Sequence, residues 1–525
     1  MPWPSRTPVP GAPQTVAAIL ERARAQEPGR EALVGRHERY TYDELHQGVS
    51  RAAAALAELG VRPGDRVAAA LPNHPDIVVA FLAVMNLGAI WVGVNRALAP
   101  PEKAYLLADA EVAVVLADPP AAAEIGGVRG RLGDLVHVVE VDAADPRSEW
   151  ATRVATCARD GPPSADVDPF GPAAIAYTSG TTGFPKGAVH SQHNLVVPAA
   201  ALASSGAYTG DVRHGVCLPL TILNLMVLSP LVAFALGACC VTVDVLDPVG
   251  LAGWIRAERI GALSAVPAVL HGLLTHPDVR PEDLTTLVLP GVGGAGCPDA
   301  LRVLYRERFG RDVASGYGLT EAPAVVARQD PGAPLVPGAT GRALPHLCIT
   351  IRDEQGGALP RGETGEVCVG PVSDGRWAGV YTPFLGYWNR PEASAEALRG
   401  GVLHTGDIGQ LDGSGTLLIR DRRADLIIRG GSNVYPAEVE RVLHEDPGVV
   451  ACAVLGRSDE RLGERVVAVV QLKPGAAVGA DDLRQRCLAN LARYKVPDEI
   501  TFIDELPRNS MNKVVKPALR ALFEG

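Results

Sequence analysis

Ala176-Tyr177-Thr178-Ser179-Gly180-Thr181-Thr182-Gly183-Phe184-Pro185-Lys186-Gly187 follows directly on an apolar run that begins at Ala173. It concentrates glycines, hydroxyls and one cation in a single short segment. Such a loop exposes backbone N–H groups, hydroxyls and a lysine together, a combination suited to a chain of phosphates. The P-loop pattern requires Gly-Lys-Ser/Thr, whereas here Pro185 precedes Lys186 and Gly187 follows it, so the Walker spacing fails. Taken alone, the segment is equally compatible with a flexible Gly/Thr turn.

The sequence on either side predicts an α/β architecture. Asp43 to Leu59 carries apolar residues at helical spacing and ends at Gly60, a suitable C-cap. Arg66 to Leu71 reads as a buried strand, Pro75 to Leu87 as a helix and Val112 to Ala117 as another strand. Repeated βα units imply parallel sheets covered by helices on both faces. Ala143 to Asp168, rich in Asp, Pro and Ser, reads as a surface connection. Gly215 to Val243 contains no charged residue and is long enough on paper to span a bilayer. Its pattern predicts instead a buried βαβ unit: a strand over Val216-Cys217-Leu218, a helix from Asn224 to Leu236 and a strand from Cys239 to Val243.

After about Leu344 the character changes. Cys348 to Arg352, Gly365 to Val369 and Leu417 to Arg420 are short strands separated by Asp-Gly and Gly-Gly turns, typical of a barrel-like or hairpin layer. A compact α+β tail follows, with helices from Pro436 to His444 and Ala480 to Ala492 and strands near Val449-Leu455 and Val466-Leu472. The division expected is 1–420 and 426–525, with the boundary at 421–425. At 525 residues more than one domain is expected. The net charge of -10 and the lack of a basic stripe argue against nucleic acid as a partner. Nine scattered cysteines without zinc-ligand spacing, and no apolar stretch near Met1, point to free thiols in the cytoplasm.

Four further segments carry chemistry. In Gly316-Tyr317-Gly318-Leu319-Thr320-Glu321, the plain alternative is a turn before a helix with Thr320 as N-cap. The functional reading has Tyr317 as a flat surface for a purine, Thr320 as a hydroxyl for a phosphate, and Glu321 as a hard oxygen ligand for magnesium. In His404-Thr405-Gly406-Asp407, the aspartate either caps a turn or accepts two donors at once as an ionised carboxylate. Arg429-Gly430-Gly431-Ser432-Asn433-Val434-Tyr435-Pro436 is a glycine turn leading into a helix with proline early in it. Asn509-Ser510-Met511-Asn512-Lys513 lies near the C-terminus, where a lone lysine would ordinarily be solvated.

Together, in this order and spacing, these segments closely resemble the AMP-forming adenylating enzymes: acyl-CoA synthetases, firefly luciferase and peptide-synthetase adenylation domains. Tyr40 to Leu45 and Gly293-Gly294-Ala295 extend the resemblance over nearly the whole chain. It implies a large αβα domain with a barrel-like layer, a hinge at 421–425, a small mobile C-terminal domain at 426–525, and ATP, Mg2+ and coenzyme A as cofactors. By resemblance, Thr178 to Gly183 and Lys186 hold phosphates, while Gly293 to Ala295 and Tyr317 hold the nucleotide. Asp407 takes the ribose hydroxyls and Arg422 adds a nucleotide contact. Lys513 is the catalytic lysine of adenylation, and the Gly430-Gly431 loop lines the pantetheine tunnel. Ile222, Leu223, Asn224 and Gly316 fall in the acyl pocket, whose apolar character suggests a bulky hydrophobic acid.

The chain departs from the family pattern at several positions. Asn512 and Asp421 replace glycines, Ala424 replaces a charged hinge residue, and Gln192 replaces a histidine. The expectation is an acyl-CoA ligase acting on a small-molecule carboxylic acid and CoA. A thioesterification-only half-enzyme fed by a separate adenylating enzyme, and acyl loading of a carrier protein, are the alternatives. Oligomerisation is left open.

Overall fold

The computed structural model describes residues 6–132, 137–157, 166–179, 184–206, 208–293, 299–310, 313–329, 339–422, 426–507, 514 and 516–520. These residues form three sheets. In the seven-stranded sheet, Ile90–Gly93, Arg66–Ala70, Val114–Ala117 and His137–Glu140 run parallel beside Pro172–Ser179. Pro172–Ser179 pairs antiparallel with Pro185–Ser191. The 13-stranded sheet has a parallel centre that includes Arg213–Val216, Ile260–Ala265, Leu289–Val292 and Ala314–Leu319. Beyond Ala322–Arg328 it continues as the antiparallel layer expected after residue 344. The mixed α/β class expected from the sequence is what the chain adopts.

Local chemistry explains the elements that pack these sheets. The helix Tyr42–Glu58 starts at a reciprocal capping box between Thr41 and Glu44 and stops before Gly60, whose φ is 90°. Pro75–Asn86 is buried all round from Ile77 to Met85, as a helix held between sheets must be. The uncharged stretch folds inside the molecule as a strand, a helical run containing Pro230 in a π-turn, and the strand Cys240–Thr242. No described helix is long and apolar enough to cross a membrane.

Three local expectations are corrected. The stretch from Ala143 to Asp168 is not all connection: Glu149–Thr156 is a helix whose Trp150 is buried. One anchoring tryptophan is enough to dock a short helix that a polar composition hides. The strand expected over Val216-Cys217-Leu218 lies at Arg213–Val216 instead. Asn73 Nδ2 binds the carbonyl of Leu218 at 2.9 Å, so a side chain rather than a neighbouring strand satisfies the backbone there. Thr320 caps no helix, because it sits at the turn between Ala314–Leu319 and Ala322–Arg328.

Five strands between Ile427 and Phe502 form the third sheet, with Pro436–His444 and Ala480–Asn490 packed beside it. Ile427–Arg429 and Ser432–Val434 make a hairpin closed by Gly430 and Gly431, with φ of 57° and 83°. Two consecutive positive φ values are what a type I′ turn demands, and glycine meets that at no steric cost.

Burial also sets a pH limit on the fold. Desolvation pushes His190 and His214 down to about 4 and His346 down to about 3. All three are neutral when folded, whereas an unfolded histidine takes up a proton near pH ~6.5. Below that pH the unfolded chain binds more protons, so stability falls as pH drops towards 4. The urea midpoint is expected to be clearly lower at pH 5 than at pH 7.5. Equal midpoints would contradict burial of these three rings.

Candidate active site

One cleft of about 1140 Å³ collects the motifs. Thr178 and Lys186 reach it from facing strands, on which they are paired residues. The turn of the hairpin Ala314–Leu319/Ala322–Arg328 brings Tyr317, Thr320 and Glu321 to the same space. Gly293 enters from the strand end beside them, and Asp407 from the antiparallel layer. Ile222, Leu223, Asn224 and Gly316 line the apolar side, and Gly430 and Gly431 close over from the third sheet.

Two hydrogen-bonded groups organise the polar side. Tyr317 OH donates to Asp407 Oδ2 at 2.6 Å, placing an aromatic ring and a carboxylate side by side. Tyr387 OH donates to Glu321 Oε1 at 2.6 Å, and Lys186 Nζ stands 5.0 Å from the centre of the Tyr387 ring. Burial raises the Glu321 carboxyl above its usual range, the Asp407 charge raises it further, and Tyr387 and Lys186 partly offset both. A desolvated carboxylate with one oxygen engaged gains from a nearby hard cation, so Glu321 fits the magnesium role chemically.

Asp407 is itself held in place. Glu366, buried in the strand Thr364–Pro371, accepts from Gly406 N at 3.2 Å, from His404 Nδ1 at 2.8 Å and from Arg399 Nη2 at 2.7 Å. Burial opposes ionisation of Glu366, but the His404 hydrogen bond and the His404 and Arg399 charges prevail and hold its pKa low. Glu366, Cys368 and His404 lie close enough to share a metal ion. With Glu366 committed to Arg399 and the Gly406 amide, however, the group acts as an anchor for the Thr405-Gly406-Asp407 loop.

The glycine turn approaches the large sheets closely. A Cβ at Gly431 would fall 2.4 Å from Val266 Cγ2, so only glycine allows this contact. Lys495 Nζ lies 2.6 Å from Glu102 Oε1 and 2.7 Å from Glu438 Oε2, joining the two parts of the chain beside the cleft.

An AMP-binding enzyme family model matches residues 20–373, and the model of the AMP-binding enzyme C-terminal domain matches residues 438–513. This chain belongs to the AMP-binding enzyme family. An indoleacetate–CoA ligase of Aromatoleum aromaticum is 36% identical over 508 residues, covering 96% of this chain and 97% of its own. A feruloyl-CoA synthase of an Amycolatopsis species is 35% identical over 487 residues, covering 92% and 94%. Among solved structures, the amide bond synthetase McbA of Marinactinospora thermotolerans superposes with a TM-score of 0.85 at 32% identity, covering 97% of this chain and 99% of that one.

In this AMP-binding enzyme, several expected residues lie outside the described ones: Gly180, Thr181, Thr182, Gly183, Gly294, Ala295, Ala424, Asn512 and Lys513. The main chain of Arg422 pairs with Asp407 across two strands, which places Asp421 and Arg422 beside the motif. Gln192 lies away from the cleft: its Oε1 accepts from Val16 N and its Nε2 donates to Met85 O, both buried ties to the first helices. Sequence reading passes over Tyr387, Glu366 and Lys495. Only Glu366 leaves a trace, as a carboxylate leading the apolar strand Val367-Cys368-Val369.

Proposed function

We propose that this AMP-binding enzyme is an acyl-CoA ligase that converts a bulky hydrophobic carboxylic acid to its CoA thioester through an acyl-adenylate. The observation that carries the reading is a single cleft in which an apolar wall meets Tyr317–Asp407, Glu321–Tyr387 and the Gly430-Gly431 turn. The relatives support it by name, since indoleacetate and ferulate are bulky, largely apolar acids.

In the first step the acid's carboxylate oxygen attacks the α-phosphorus of ATP, and the bond to the bridging oxygen breaks to release pyrophosphate. Tyr317 stacks on the purine and Asp407 accepts both ribose hydroxyls. Lys186, with Thr178, Ser179 and the loop 180–183, binds the departing phosphates, and Lys513 neutralises charge that grows between carboxylate and phosphate. Magnesium at Glu321 would neutralise phosphate oxygens when bound. In the second step the CoA thiol gives up its proton and attacks the anhydride carbonyl, and AMP leaves with the bonding pair. Residues 426–525 turn about 421–425 between the steps, and the orientation with Gly430 and Gly431 at the cleft is the thioester-forming one. Free thiols and the absence of a spanning helix among the described residues suit a cytoplasmic enzyme.

Acid-dependent ATP–pyrophosphate exchange over aliphatic, alicyclic and aromatic acids tests this, followed by thioester formation on free CoA and on a holo-carrier protein. Wild type is expected to exchange, with Asn512→Gly within a few-fold of it, and to acylate free CoA. Exchange by Asn512→Gly alone would assign the chain to thioesterification only. Transfer to the carrier alone would overturn the choice of CoA.

A further inference from the structure

We propose that Arg328 reads the far end of the acid, so that the substrates are hydrophobic acids bearing an oxygen acceptor, a carbonyl or a carboxylate, opposite the reacting carboxyl. The proposal rests on the acyl-CoA ligase reading of the same cleft and specifies its substrate class.

The cleft extends well beyond the nucleotide motifs. It follows the hairpin Ala314–Leu319/Ala322–Arg328 from Thr320 and Glu321 at the turn to Arg328 and Gln329 at the other end. Arg328 pairs with Gly316, four residues back from Thr320. At ~3.3 Å per residue that separates the two ends by about 13 Å of strand. Leu319, Val325 and Leu228 line the path between them, so the middle of the substrate meets hydrocarbon.

The polar groups at the far end differ in what they have left to give. Arg302 is 4% exposed and donates to Gln329 Oε1 at 2.6 Å and to Ser315 Oγ at 2.8 Å. Those side chains are committed to one another and form a fixed floor. Among the described residues the side chain of Arg328, which lines the cleft, meets Tyr208: its Nη1 donates to Tyr208 OH at 3.3 Å and its guanidinium lies 5.5 Å from that ring. No carboxylate among the described residues pairs with it. A guanidinium has five N–H donors, and most of these are left for a ligand.

A partly buried cation with unused donors selects its partner by what it loses when that partner is missing. An acid ending in hydrocarbon would strip water from the guanidinium and return nothing. One ending in oxygen restores charge-assisted hydrogen bonds. Sites built to bond an acceptor discriminate strongly against the analogue that lacks it. The Tyr208 ring, 5.5 Å from the guanidinium, is an aromatic face that the cation tolerates beside it.

Matched acids of one length test this: a ring or chain acid, its distal ketone and its distal carboxylate. For each, kcat/KM is read by pyrophosphate release with wild type, Arg328→Met and Arg328→Lys. Wild type is expected to favour both oxygen-bearing acids by tenfold or more. Arg328→Met is expected to abolish that preference while moving kcat/KM for ATP by less than threefold. Arg328→Lys should keep the carboxylate preference better than the ketone preference, since a point charge replaces a planar fork. Equal use of the matched acids by wild type overturns the proposal without involving any variant. A preference that survives in Arg328→Met overturns it too. Hydrocarbon acids turned over without discrimination would leave the ligase reading intact, whereas no turnover of any acid would remove that reading and this proposal together.

Discussion

Lys495→Met is expected to slow CoA transfer by about two to three orders of magnitude or more while leaving acyl-adenylate formation within about threefold of wild type, because breaking a buried ion pair costs roughly 3–5 kcal/mol. Lys495 is 5% exposed and stands between Glu102, on the helix Pro100–Asp109, and Glu438, on the helix Pro436–His444. Glu102 Oε2 also accepts from Ala492 N at 2.6 Å, so one carboxylate from the large sheets binds two points of the C-terminal unit. Burial disfavours the Lys495 ammonium, yet the Glu438 and Glu102 charges hold its pKa above the ordinary lysine value. Burial raises the Glu438 carboxyl as well, so that carboxylate depends on the cation.

Without the ammonium, two carboxylates are left facing each other, and under the proposed rotation of residues 426–525 they do so only in this orientation. The cost therefore falls on the step that needs Gly430 and Gly431 at the cleft. If the units separate as proposed, both carboxylates return to water. Supplying preformed acyl-adenylate and CoA isolates the second step, and pyrophosphate exchange isolates the first. Equal losses in both, or a collapse of thermal stability with both, would show that Lys495 only holds the fold together.

Asp407→Ala is expected to lower kcat/KM for ATP by about two orders of magnitude, since hydrogen bonds to a charged group contribute ~1.5–3 kcal/mol each. Its carboxylate already accepts from Tyr317 OH at 2.6 Å, and the Glu366–His404–Arg399 anchor fixes the loop that carries it. Tyr317→Phe removes one donor and keeps the ring, so its loss is expected to be about tenfold or less. The informative readout is binding of AMP against 2′-deoxy-AMP. Wild type should prefer AMP, and Asp407→Ala should bind both alike. If the variant still discriminates between them, Asp407 is not the ribose ligand.

Local order along the chain accounts for much that was legible in advance. The capping box at Thr41 and Glu44, the helix Pro436–His444 and the paired glycines of the 430–431 turn each depend on residues within a few positions of one another. The candidate motif around Tyr317, Thr320 and Glu321 was legible for the same reason, because these residues lie within five positions of one hairpin. Trp150 shows the limit: its helix exists because a distant core accepts one large side chain, which composition does not disclose.

From its order of residues alone, this chain determined its family, its mixed α/β class and the identity of many residues that line the cleft. Those features are local, set by spacing, glycine conformation and the chemistry of contiguous residues. Only the tertiary structure decided which hydroxyl donates to each carboxylate, which cation bridges Glu102 and Glu438, and that Arg328 meets no carboxylate among the described residues. Tyr387 meets Glu321 across 66 residues, Lys495 meets Glu102 across 393, and Arg328 meets Tyr208 across 120. Pairings at such separations follow from sheet register and helix packing, where small shifts exchange partners, so no short-range pattern encodes them.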